Sequence, residues 1–241
     1  MTDEVLIEAR GRALRICLNR PEKGNALTSA MATAITDAIL APPPETHCIV
    51  VEAAGQNFCT GRAAAMPAPG SRATALDLRA AISDPVLNFY AALRNVPLPV
   101  LAAVRGSAAG VGCAIAALAD VAVAADTALF QVPEMNHDIA PTLVMDALGD
   151  RLPRAALARL VLTRDAISAR EAQTLGLIGK VVAEAELSSE VDRISEMLGR
   201  NSQPVLRGVK AFLRVAPETS FAARQEMAAL INSSVTAERF R

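Results

Sequence analysis

The chain of 241 residues contains no tryptophan, one tyrosine and six phenylalanines. Its apolar fraction of 52% must therefore pack as aliphatic side chains, many of them alanine. Histidine is also scarce. His47 and His137 stand far apart and neither sits in an H-E-x-x-H pattern, so no metal site is expected. Four cysteines, Cys17, Cys48, Cys59 and Cys113, form no C-x-x-C pair and read as reduced thiols behaving as small apolar residues. A marked excess of either charge is lacking: 24 Lys and Arg balance 25 Asp and Glu, with no basic block, so nucleic acid is not an expected partner. No run reaches the roughly 20 apolar residues of a membrane span, since Arg105 and Asp120 interrupt the richest region. The opening MTDEVLIEARG carries acids where a secretory leader carries bases. A cytoplasmic protein with no membrane contact is the resulting expectation.

What is present reads as one α/β core with a helical tail. Val5, Ile7 and Ala9 alternate with polar neighbours, Gly11 turns the chain, and residues 13–18 run back as a second strand. Leu27, Met31, Ala34, Ile35, Ala38 and Ile39 recur at helical spacing, with Asn25 or Thr28 as the cap and Pro42-Pro43-Pro44 as the stop. Cys48–Val51, Val100–Val104 and Val121–Ala124 are short apolar runs suited to buried strands. Residues 63–73 predict a loop and residues 76–93 one helix. Ser168 and Glu171 have capping-box spacing. The domain expectation is a core over residues 1–183 and a helical region over 184–241. There Leu187, Val191, Ile194 and Leu198 recur at helical spacing, and some of them are expected to be buried between subunits.

Familiar chemical motifs are missing. Ser107 directly follows Gly106, so there is no G-x-S-x-G elbow. No G-x-x-x-x-G-K-[ST] loop occurs, and Gly110-x-Gly112 is followed by Ile115 where a dinucleotide fingerprint needs a third glycine. Two glycine turns remain, Phe58-Cys59-Thr60-Gly61-Arg62 and Ala109-Gly110-Val111-Gly112, each after a predicted strand. A helix start exposes unpaired N–H groups with partial positive charge. Two such groups aimed at one point would stabilise an oxyanion. Glycines in tight turns are equally compatible with a structural role.

Several segments, in order, resemble the enoyl-CoA hydratase/isomerase (crotonase) family. They are Asn19-Arg-Pro-Glu-Lys-Gly-Asn-Ala-Leu27, the strand and turn from Val50 to Gly61, and the glycine-rich stretch Val104–Gly112 with Asp120. Phe130-Gln-Val-Pro133-Glu134, Ile167–Ala172 and Gly176-Leu-Ile178 complete the set. The resemblance runs from about residue 5 to residue 215. It implies an α/β spiral of ββα repeats with a C-terminal helical trimerisation region, giving a homotrimer or a dimer of trimers. It also implies an acyl-CoA substrate with no separate cofactor, because coenzyme A is part of the substrate. Carried onto this chain, the thioester oxygen would lie between the backbone N–H groups of Arg62 and Val111. Ala26, Leu27, Gly61, Ala64, Gly110 and Gly112 would line the substrate site, and Glu134 would be the acid–base residue.

Three departures from the family pattern bear on the reaction. Ala114 stands where the hydratases carry one of two glutamates, Ala63 where an aspartate is common, and Thr142 where the dienoyl-CoA isomerases carry a second acid. Water addition needs a group to activate water and a proton for the α carbon. Moving a double bond needs one base, as in the family's single-glutamate isomerases. The expectation is therefore conversion of 3-enoyl-CoA to 2-enoyl-CoA by Glu134. Hydration assisted by His137 or Asp138, and silent acyl-CoA binding, stay open as alternatives.

Overall fold

The computed structural model describes residues 3–63, 70–237 and 240. The chain starts with an antiparallel hairpin, β1 (Val5–Arg10) and β2 (Ala13–Leu18), turned at Gly11 with φ 59°. Helix α1 (Ser29–Leu40) follows. Its cap is Thr28, whose Oγ1 accepts the Met31 N–H at 3.1 Å. Asn25, the other candidate, is fully buried and bonds elsewhere. Its Oδ1 accepts the Arg20 N–H, and its Nδ2 donates to the Ala54 and Asn57 carbonyls, tying together the loops below the site. Strand β3 (Cys48–Ala53) lies parallel to β2.

The predicted single helix over 76–93 is broken. Helix α2 (Ala75–Leu78) opens with a complete Thr74–Asp77 capping box and passes through a π-helical stretch, Arg79–Ser83, into α3 (Asp84–Asn95). The cause is Pro85, which has no N–H to donate one turn back. The Asp84 N–H reaches Arg79 instead.

Strand β4 (Val100–Val104), β5 (Ser107–Ala109), helix α4 (Val111–Leu118), β6 (Val121–Ala125) and β7 (Leu129–Gln131) then alternate. After them come α5 (Thr142–Gly149), α6 (Arg154–Thr163), β8 (Ile167–Ser168), α7 (Ala169–Thr174) and β9 (Lys180–Val182). Ser168 caps α7 as expected, but only half the capping box forms, because the Glu171 carboxylate pairs with Arg159. The main sheet has the order β1-β2-β3-β4-β6-β9, parallel except for the first hairpin, and a small sheet has the order β5-β7-β8.

The inner strands of the main sheet are buried on both faces, and the period of two along each strand assigns the residues. Ile16, Ile49, Val51, Ala102 and Ala124 face the large core shared with α1, α3 and α4. Ala13, Cys48, Val50, Leu101, Ala103 and Val123 face a second core, closed by α8 (Leu187–Gly199). This corrects the expected role of the α8 face. Leu187 and Val191 are fully buried within the chain, and Ile194 and Leu198 pack against the same cluster, so these side chains are spent on the fold. Arg15 reinforces the contact, pairing with Glu52 on β3 and Asp192 on α8. The last helices, α9 (Gln203–Val215) and α10 (Phe221–Ala237), pack mainly on each other. Lys210 anchors α9 by donating to Asp120 Oδ2 at 2.6 Å, while the same oxygen accepts the Val100 N–H at 2.7 Å. Among the described residues, no helix is long and apolar enough to cross a membrane.

Candidate active site

The two glycine turns meet. Residues 59–63 are threaded between Leu27 and β5. Cys59 donates to the Ser107 carbonyl and accepts from Ala109, while Leu27 donates to the Gly61 carbonyl and accepts from Ala63. Bonding to both neighbours of Arg62 is the pattern of a parallel bridge, in which the Arg62 N–H points to the opposite side. That side holds the start of α4. Gly110 takes φ 52° and ψ −114°, a conformation side chains avoid, and a Cβ placed on it would lie 3.8 Å from the Gly61 Cα. Val111 is the first residue of α4, so its N–H has no carbonyl one turn earlier to bond. Among the described residues, neither the Arg62 nor the Val111 N–H donates to a backbone carbonyl, and both residues line one cavity of about 330 Å³. Gly112 does not line it. This glycine lets α4 pack on the Cys59 carbonyl, where any Cβ would collide.

Glu134 enters the cavity from the other side. Strand β7 ends at Gln131, which accepts the Gly110 N–H, and Pro133 starts a 3₁₀ turn, Glu134–His137. The Glu134 carboxylate lies against Gly110, where a Cβ would strike Oε1. Oε2 is buried without a hydrogen-bond partner among the described residues. Burial holds this carboxyl above its ordinary pKa, partly offset by a bond from its own N–H. Its charge is felt by two neighbours, Tyr90 on the cavity wall and Cys113 in the core behind it. The Cys113 thiol is pushed up to about 12, first by burial and then by Glu134, and the Tyr90 phenol is raised by the same two causes.

Tyr90 was not singled out in the sequence. It is the sole tyrosine, sits on the buried face of α3 and lines the cavity. Its scarcity in a chain so poor in aromatics was the available signal. The Arg62 side chain also reaches the cavity. Its Nη1 donates to the Ile82 carbonyl at 3.3 Å, and burial lowers its pKa.

The remaining expected residues divide. His137 lines the rim and is exposed, whereas Asp138 closes the 3₁₀ turn at φ 55° and is not part of the cavity wall. Thr142 lies outside the wall as well, although Pro141 and Leu143 belong to it. Ala114 is fully buried in the core and does not line the cavity. Leu27 shapes the site by its backbone, and its side chain borders an adjoining groove shared with Arg62 and Val111. Ala26 borders neither space, its carbonyl accepting Arg20 Nη1 at 3.1 Å. Ala64 lies outside the described residues. Among the described residues, no cluster of side chains suits a metal ion.

The family model described as enoyl-CoA hydratase/isomerase matches residues 8–239. The chain belongs to the enoyl-CoA hydratase/isomerase family. Its curated relatives include human enoyl-CoA hydratase domain-containing protein 3, mitochondrial, 33% identical over 206 residues that make up 84% of this chain and 67% of the relative. They also include the 2,3-dehydroadipyl-CoA hydratase of Escherichia coli K12, 28% identical over 91% of this chain and 85% of the relative. The crystal structure of the human protein superposes with a TM-score of 0.86 at 28% identity, covering 96% of this chain and 91% of that one. A Thermobifida fusca YX protein described as an enoyl-CoA hydratase, crystallised with acetoacetyl-CoA, gives 0.86 at 27% identity, covering 98% and 96%. The fold of this family member is accordingly the crotonase fold, a mixed α/β core followed by C-terminal helices.

Proposed function

We propose that the protein binds an acyl-CoA thioester, holds its carbonyl oxygen between the N–H groups of Arg62 and Val111, and shifts a double bond from C3 to C2 with Glu134 as the single base. The observation carrying this reading is that Glu134 is the one acid on the cavity wall among the described residues, with an unpartnered buried oxygen. Its partly desolvated carboxylate is a stronger base than one in water. The Glu134 carboxylate removes a proton from C2, the two N–H groups stabilise the dienolate oxygen, and the same carboxyl returns the proton to C4. Ala114, buried in the core, offers no second acid. Incubation with 3-enoyl-CoA should produce 2-enoyl-CoA. Rapid hydration of 2-enoyl-CoA with no action on 3-enoyl-CoA would overturn the single-base mechanism.

Hydration is the second reading. It is supported by the hydratase names of the relatives and by the Tyr90 phenol and His137 on the same wall, either of which could hold a water beside Glu134. Failure of both reactions with retained binding would leave a silent acyl-CoA-binding protein. We further infer a homotrimer or dimer of trimers. With α8 used internally, the apolar side chains left for subunit contact include Val209, Leu213, Phe221 and Leu230 of α9 and α10, each more than half exposed.

A further inference from the structure

The Arg62 side chain has no part in the reaction above, and its surroundings differ from those of the two buried cations of this chain. The buried cations Arg15 and Lys210 are each matched by carboxylates. Arg62 is half-buried between the cavity and the adjoining groove, yet no carboxylate lies within ion-pair distance of it among the described residues. Among the described residues its side chain makes one hydrogen bond, to the Ile82 carbonyl, which is long at 3.3 Å and uses one of the five N–H donors of a guanidinium. The segment that follows, residues 64–69, contains no acid in its sequence. Nor is Glu134 paired with it, since Glu134 Oε2 is buried without a hydrogen-bond partner among the described residues. A desolvated guanidinium beside Ile82, Val86 and Tyr90 would be a poor neighbour for a plain alkyl tail, but its planar fork suits a carboxylate bound through two parallel hydrogen bonds.

Resting on the acyl-CoA reading above, we propose that Arg62 docks a carboxylate at the far end of the acyl chain, so that the preferred substrates are CoA thioesters of short diacids. The same residue supplies the N–H for the thioester oxygen and the guanidinium for the terminal carboxylate. The two recognition points are therefore one arginine side chain apart, which selects short chains.

The test uses the full chain and calorimetric binding of two saturated probes of equal length, glutaryl-CoA and pentanoyl-CoA. They differ in the terminal carboxylate alone. Wild type should bind glutaryl-CoA roughly 10–100-fold more tightly, the worth of a charge-assisted hydrogen-bonded pair. Arg62→Met should abolish that preference, and Arg62→Lys, which keeps the charge without the fork, should hold an intermediate ratio. Reading the ratio within each protein cancels any change at the backbone N–H that both probes share. Equal binding of the two probes by wild type overturns the proposal, and so does a preference that survives in Arg62→Met. If Arg62 grips a CoA phosphate instead, the substitution weakens both probes alike and leaves the ratio unchanged, which also overturns it. Binding of neither probe by wild type would mark failure of the acyl-CoA reading itself.

Discussion

Replacing Glu134 by glutamine isolates the proposed base with little change in shape. The carboxylate sits where Gly110 leaves room for it, and the amide is nearly isosteric, so the two N–H groups of Arg62 and Val111 keep their positions. The variant should bind acyl-CoA normally yet lose about 10²–10⁴ in turnover, the range for a positioned base, or roughly 3–5 kcal/mol of barrier. Stability should move the other way. Because burial raises the Glu134 pKa, the folded protein holds this proton more tightly than the unfolded chain, and stability falls as pH rises from the ordinary glutamate value through the raised one. Glutamine removes that penalty, so the variant should melt no lower than wild type at neutral pH, and the two should converge in acid. Wild-type rate should climb with pH along a limb set by the raised pKa, and the variant should lack that limb. Stopped-flow assays on 3-enoyl-CoA, calorimetry and thermal melts over pH measure all of this. Turnover within a few-fold of wild type, or marked destabilisation at neutral pH, would refute the assignment of Glu134 as a desolvated base.

Gly110→Ala should cut turnover at least tenfold while costing roughly 1–3 kcal/mol of stability, because its methyl group strikes Glu134 Oε1 and its backbone is strained at positive φ. Parallel kinetics and denaturant melts check the pair of effects. Ala114→Glu should destabilise by about 3–5 kcal/mol rather than create a hydratase, since position 114 is fully buried in the core and gives the new charge no partner. Urea unfolding and a 2-enoyl-CoA hydration assay decide between these outcomes. Lys210→Met should leave the half-buried Asp120 without its cation and free the α9–α10 pair, seen as faster amide exchange there with slower change in the sheet. Sedimentation at micromolar concentration should show a trimer or larger species. A monomer would count against α9 and α10 as contact surfaces.

Local pattern alone determined much of this protein. The strands at residues 13–18 and 48–51, the cap at Ser168, and the glycine turns at 61 and 110 are set by sterics and hydrogen bonding within a few residues, so they could be read directly, whereas local pattern did not choose between Asn25 and Thr28 as the cap of α1. The order of the motifs carried the family and, with it, the placing of Glu134 beside the turn of α4. Other features required the chain to close on itself. Pro85 divided the predicted 76–93 helix because its missing N–H outweighed an unbroken apolar period. The α8 face looked like a contact surface, since an amphipathic stripe does not say what it will cover. The second face of the sheet, formed by residues from Ala13 to Val123, is what took it. Lys210 and Asp120 are 90 residues apart, and no spacing rule joins them. Tyr90 and the Arg62 guanidinium reached the Glu134 cavity because α3 packs across the turn that carries Arg62. Side-chain burial, and hence the charge state of the site, depends on that packing and on nothing adjacent in the chain.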